Sequence, residues 1–131
     1  MKGILCIAAT VFLVSCGHSP LVSHLQDSDS ISIRFTEPGT GSVIKVVATG
    51  EPYAITDLLQ YADSEETEQQ QCGNDGKIIF YKKGTVAGEV SFNYTDDGCR
   101  HFLVMANGKL TATKMSYQAR DLLKSLAGGS K

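Results

Sequence analysis

Apolar and polar residues alternate along several segments of the chain, and this pattern predicts a fold rich in strands. The clearest alternation places Val86, Gly88, Val90, Phe92 and Tyr94 on one side and mostly polar residues on the other, as in a strand with one buried face. Shorter segments of strand-forming composition begin at Ile31 and cover Val43–Thr49, 77–83, 99–106 and Lys109–Lys114. The pattern therefore predicts about six strands.

Two further segments repeat their apolar residues at helical spacing. In the first, Pro52 is at a favourable first helical position, and the apolar residues are Ile55, Leu58, Leu59 and Ala62. In the second, Ser116 is a suitable N-cap, and the apolar residues are Ala119, Leu122, Leu123 and Leu126. Each stripe predicts an amphipathic helix with one face in the core. Residues 63–71 carry no apolar side chain, which predicts a solvated loop.

The turns predict how the strands pair. Asn107 and Gly108 are a typical two-residue hairpin turn, and they predict Met105 opposite Leu110, Leu103 opposite Ala112 and His101 opposite Lys114. Consecutive strands joined by tight turns favour an antiparallel sheet, and two helices suffice to cover one of its faces. We therefore predict a two-layer α+β domain with a mostly antiparallel sheet and the element order ββαββββα.

The beginning of the chain has the organisation of a signal peptide. Lys2 gives a positive start, and residues 3–14 form an apolar stretch that is too short to cross a bilayer as a helix. The stretch ends in Leu13-Val14-Ser15-Cys16, which resembles the lipobox of bacterial lipoproteins. This resemblance covers residues 1–17 only. It implies cleavage before Cys16 and a lipid on Cys16, whose several acyl chains anchor the protein stably. An ordinary secreted protein, with Cys16 paired to another thiol, is the alternative.

The resemblance divides the chain into a signal peptide (1–15), a lipidated N-terminus with a flexible tether (16–30) and one α+β domain (31–131). Residues 17–30 are largely polar, which is typical of a tether. In enteric bacteria an acidic residue after the lipidated cysteine marks inner-membrane retention, so the resemblance implies that Gly17 favours the outer membrane. We expect a lipid-anchored protein of the bacterial cell envelope that faces the periplasm or the surface.

The sequence predicts three different roles for the four cysteines. Cys6 leaves with the signal peptide and Cys16 carries lipid, so Cys72 and Cys99 remain as an even pair in an oxidising compartment. Their disulfide restricts the unfolded chain by about 3 to 4 kcal/mol in the entropy model. A zinc site from Cys72, Cys99 and His101 lacks a fourth ligand, and a nucleophilic Cys–His pair lacks a group that orients the imidazole. We expect no metal and no cofactor.

Charge bears on the class of partner. The chain has 12 Lys and Arg against 14 Asp and Glu, which excludes a nucleic-acid binder held by bulk charge. Residues 16–68 contain nine acids and two bases, whereas residues 69–131 contain five acids and nine bases. Such asymmetry can orient a partner. Lys82, Lys83 and Arg100 lie at predicted strand ends, where they are candidates for a basic, partner-binding rim.

No catalytic triad, metal cluster or signature carboxylate pair is evident in the sequence, so we expect a binding protein rather than an enzyme. The first hypothesis is a non-enzymatic module that presents its free sheet face or loops to another envelope protein or polymer. The second is an inhibitor of a hydrolase such as lysozyme or a protease. The third is a thiol enzyme, which requires Cys72 or Cys99 to be free.

Overall fold

The computed structural model describes residues 22–37, 40–68, 72–106 and 108–128. Within these ranges the chain forms seven strands and two α-helices. The strands are β1 (Ser30–Thr36), β2 (Val43–Thr49), β3 (Glu66–Thr67), β4 (Gly76–Lys82), β5 (Thr85–Asn93), β6 (His101–Ala106) and β7 (Lys109–Lys114). The helices are α1 (Pro52–Ala62) and α2 (Tyr117–Gly128), and short 3-10 helices cover Ser23–Leu25 and Asp97–Cys99.

The strands form one sheet in the order β2-β1-β4-β5-β6-β7-β3, and every neighbouring pair is antiparallel. The predicted α+β class and antiparallel sheet are confirmed. The hairpin register is also confirmed, because His101 lies opposite Lys114, Leu103 opposite Ala112 and Met105 opposite Leu110. The turn therefore determined the pairing of β6 with β7, as its residue types predict.

The seventh strand, β3, lies in the segment predicted to be a solvated loop. Glu66 pairs with Thr113 and Thr67 pairs with Ala112, and the Lys114 N–H donates to the Glu65 carbonyl at 2.8 Å. The loop prediction was wrong for these two residues because a ladder needs only backbone donors and acceptors. A strand of two residues is too short to show an alternation of apolar and polar residues, so the sequence pattern could not predict β3.

Both helices cover the same face of the sheet. The core combines Ile33, Phe35, Phe80, Phe92 and Phe102 from the strands with apolar residues of the two helices, which are Ile55, Leu58, Leu59, Ala62, Ala119 and Leu123. The rings of Phe35 and Phe92 meet edge to face, with 5.7 Å between their centroids. The predicted N-cap of α2 is present, since Ser116 Oγ accepts from the Ala119 N–H at 3.1 Å. One sheet face thus forms the core.

The domain begins before Ile31, where the sequence predicted its boundary. Val22 and Leu25 lie in the core, with exposed fractions of 3% and 0%. A side chain at Gly88 would collide with Leu25, since a Cβ there would lie 2.6 Å from Leu25 Cδ2. The predicted tether was therefore wrong for residues 22–30. Two apolar residues three positions apart give no periodic pattern, yet both are buried, and Leu25 fills the space above Gly88. The signal peptide, Cys16 and the tether up to residue 21 lie outside the described residues.

We predict that Gly76→Ala lowers the free energy of unfolding by about 2 to 4 kcal/mol. A Cβ at Gly76 would collide with the backbone carbonyl of Arg34 and would lie 2.7 Å from Phe92 Cζ, in the centre of the core. Urea denaturation measures the change.

Gly73→Ala is the matched control, because nothing lies within 4 Å of a Cβ at that position. Its free energy of unfolding should change by less than about 0.5 kcal/mol. Equal stabilities of the two variants would contradict the close packing at Gly76.

Candidate functional site

The predicted disulfide is present, and it joins Cys72 to Cys99 with 6.2 Å between their Cα atoms. It links the segment before β4 to the 3-10 helix before β6. Both sulfurs are used in this bond, so neither acts as a zinc ligand or a nucleophile here. Across the described ranges, no group of three or more His, Cys, Asp or Glu side chains is arranged to hold a metal ion.

Asp75 is the centre of a hydrogen-bond cluster beside this bridge. One oxygen of its carboxylate, Oδ2, accepts from the Tyr94 N–H at 2.8 Å, the Thr95 N–H at 3.0 Å and the Thr95 hydroxyl at 2.9 Å. Its backbone N–H donates to the Phe92 carbonyl, and its own carbonyl accepts from the Thr36 N–H, each at 2.8 Å. The structure shows that Asp75 connects β1, β4 and β5.

His101 lies on the sheet face opposite the helices, next to Asn93 on β5 and Lys114 on β7. Its exposed fraction is 2%, and neither ring nitrogen has a hydrogen-bond partner among the described residues. Burial lowers the pKa of the imidazole below its ordinary value of 6.5, and the negative charge of Asp75 opposes this shift. The folded chain therefore favours the neutral imidazole, in a position closed to solvent.

The three predicted partner-binding residues do not form one rim. Lys82 ends β4, where its ammonium is 3.4 Å from Asp27 Oδ2, and Lys83 donates its backbone N–H to Asp29. Arg100 lies next to β6, stacked over the Tyr117 ring at 4.5 Å. The whole of β5 separates these two places, which is about 30 Å of extended chain. All three residues lie at or next to a strand end, but Lys82 and Lys83 lie at one end of β5 and Arg100 lies at the other.

The most unusual surface is the outer edge of β2, the first strand in the sheet order. Among the described residues, no strand pairs with this edge, and β2 carries three of the exposed large apolar side chains: Val43, Ile44 and Val46. A nearly continuous apolar sequence is typical of a strand buried inside a sheet. Edge strands are usually short or charged, since their free N–H and C=O groups can pair with another chain. We call this surface the β2 edge.

An apolar cleft runs beside the β2 edge on the helix side. It has a volume of about 260 Å³, and β2 contributes Val47 and Thr49 to its wall. Tyr53 and Asp57 of α1 and Leu126 of α2 complete the side nearest solvent. The register places Lys45, Val47 and Thr49 on this same side of β2, opposite Phe35, Ile33 and Ile31. A strand added at the β2 edge would therefore place alternate side chains over the cleft.

The low pKa of His101 predicts a pH-dependent stability. Because the unfolded chain takes up a proton near pH 6.5 and the folded chain resists it, the contribution of His101 is complete above that pH and is lost as pH falls below it. We expect the free energy of unfolding to fall between pH 7 and pH 5, and His101→Gln to reduce that fall. Urea denaturation across this range measures both.

His24→Gln is the control for the loss of an imidazole as such, because His24 is exposed whereas His101 is buried. Parallel curves for the native chain and His101→Gln would show that the buried imidazole is not responsible.

Within the described ranges, no helix has the length and apolar character needed to cross a membrane. Comparison of the chain with known protein families, curated proteins and solved structures finds no match in any of the three. The function of this protein must therefore be inferred from its own residues and their geometry.

Proposed function

We propose that this protein is a lipid-anchored protein of the bacterial cell envelope, at the outer membrane, and that it acts as a non-enzymatic binding module. Its binding surface is the β2 edge with the adjacent cleft. The observation that carries the proposal is a seven-residue edge strand, VIKVVAT, with apolar side chains in solvent and no strand on its outer side among the described residues.

Pairing of β2 with a strand from a binding partner would explain the apolar composition of β2. An extended segment that pairs with an edge gains backbone hydrogen bonds, and pockets for alternate side chains give it specificity. The β2 edge offers both features, because its backbone borders the cleft lined by Val47, Tyr53 and Leu126. Left exposed, an apolar edge favours aggregation. A segment bound specifically at the β2 edge would lower this tendency to aggregate.

The anchor and the compartment rest on the N-terminal motif and on the disulfide. Leu13-Val14-Ser15-Cys16 matches the lipobox pattern, and the Cys72–Cys99 bridge is of the kind that persists in oxidising compartments such as the periplasm. Lipid on Cys16 would hold every copy at one membrane surface. Such confinement raises the effective concentration of partners at that surface, so a modest affinity of the β2 edge suffices there.

We predict that Cys16→Ser abolishes incorporation of radiolabelled fatty acid and blocks processing of the precursor, because the thiolate of Cys16 is the group that accepts the lipid. Labelling followed by gel electrophoresis measures both. Cys6→Ser is the matched control, since it removes a cysteine of the same apolar segment and leaves the lipobox intact. A Cys16→Ser chain that is still labelled or normally processed would overturn the anchor.

The binding surface is tested by a photoreactive amino acid at Val46 of the full chain in intact cells. We expect illumination to give a reproducible crosslinked product from position 46, because this side chain lies at the centre of the β2 edge. Val86 is the matched control, since the exposed fractions of the two valines are 53% and 52% and Val86 lies on β5, three strands away from β2 in the sheet order. Equal yields from both positions, or none from position 46, would overturn the β2 edge as the binding surface.

A further inference from the structure

We propose that the β2 edge binds the β2 edge of a second copy of this chain, antiparallel and two-fold symmetric about Val47. This pairing would join two sheets into one continuous sheet across the two copies. It rests on the proposed function, in that it names the partner of the same surface. The opposite sheet edge, β3, is only two residues long, so β2 is the long edge of the described sheet.

Charge favours the register centred on Val47 over the register centred on Lys45. A symmetric pairing centred on Lys45 would place two ammonium groups opposite each other, which destabilises a sheet. A pairing centred on Val47 places Lys45 of each copy opposite Thr49 of the other, and Val46 opposite Ala48. In this register Lys45 faces the cleft, because Lys45, Val47 and Thr49 share the helix side of β2.

The cleft carries a negative charge, complementary to that of Lys45, near Thr49. Asp57 lines the cleft together with Thr49 and Tyr53, and its side chain is exposed. Lys45 and Thr49 are four positions apart on one strand, about 13 Å, so within one chain Lys45 lies beyond the Val47 end of the cleft and well away from Asp57. An antiparallel second copy reverses this order. It brings Lys45 of each copy beside Asp57 of the other, twice by symmetry.

Among the described residues, neither Lys45 nor Asp57 forms an ion pair. The ion pairs given by the structure for the described residues involve Lys77, Lys82, Lys114 and Arg120 as cations, and Lys45 and Asp57 take part in none of them. The pairing would therefore give both Lys45 and Asp57 of each copy a partner of opposite charge. It also places Val46, which otherwise faces water, opposite Ala48 of the second copy.

The test is disulfide crosslinking of the full chain in native membranes. In a two-fold pairing about Val47, Val47→Cys places each new thiol directly opposite its own copy, within the range of a disulfide. We expect a reducible product of twice the chain mass from Val47→Cys. Val86→Cys, on β5 and three strands away from the β2 edge, should give at least about tenfold less.

Charge reversal then tests the register. In the Val47→Cys background, we expect Lys45→Glu and Asp57→Lys each to lower the yield about tenfold, because each places like charges together at both ends of the pairing. The double variant should return to within about twofold of the parent, since it restores opposite charges. Lys109→Glu, at an exposed position on β7, is the control and should leave the yield unchanged. An intact Cys72–Cys99 bridge in every variant verifies folding.

Three results would overturn self-pairing: no dimer from Val47→Cys, equal dimer from Val86→Cys, or no rescue in the double variant. These failures are distinguishable from failure of the proposed function. A photocrosslinked product at position 46 whose mass differs from that of the dimer would retain the β2 edge as a binding surface and replace the second copy with another partner.

Discussion

The structure depends most on the hydrogen bonds around Asp75, where three strands that are distant in sequence meet. Its backbone joins β1 to β4 and β4 to β5, while its carboxylate accepts three donors from Tyr94 and Thr95. A buried carboxylate is stable only when its lone pairs are satisfied. Asp75 has an exposed fraction of 5%, so the end of β5 and the start of β4 must stay together. The adjacent disulfide then brings β6 to the same place.

This fixed centre determines which parts of the sheet are free. Because β1, β4, β5 and β6 are held side by side, β2 lies at one edge of the sheet and β7 lies next to the other edge. The short strand β3 pairs with β7 at that second edge. Both helices are occupied in covering the core face, so neither covers the outer side of β2. The exposed apolar edge is therefore a consequence of the topology. A strand with the composition of an interior strand lies where a sheet normally ends.

Local features of the fold could be predicted from the sequence, whereas its long-range features could not. Pro52 and Ser116 begin their helices, and the turn at Gly108 sets the β6–β7 register, because each depends on residues only a few positions apart. The pairing of β1 with β4 closes a long loop, and no local pattern encodes it. The apolar sequence of Val43–Thr49 even favours an interior strand. Lys82 and Arg100 are a different case, because consecutive antiparallel strands already imply that the length of β5 lies between them, and the prediction of one rim did not take this into account.

If Cys16 carries lipid, as proposed, the burial of Val22 and Leu25 in the core also limits the distance between the domain and the bilayer. Only five residues, 17–21, separate Cys16 from Val22, and a fully extended chain of that length spans at most about 20 Å. A lipid on Cys16 would therefore keep the domain close to the lipid headgroups, far from the opposite membrane. Neighbouring copies would slide in one plane with restricted tilt. Encounters between them would become two-dimensional, so surface density rather than bulk concentration would set how often two domains meet.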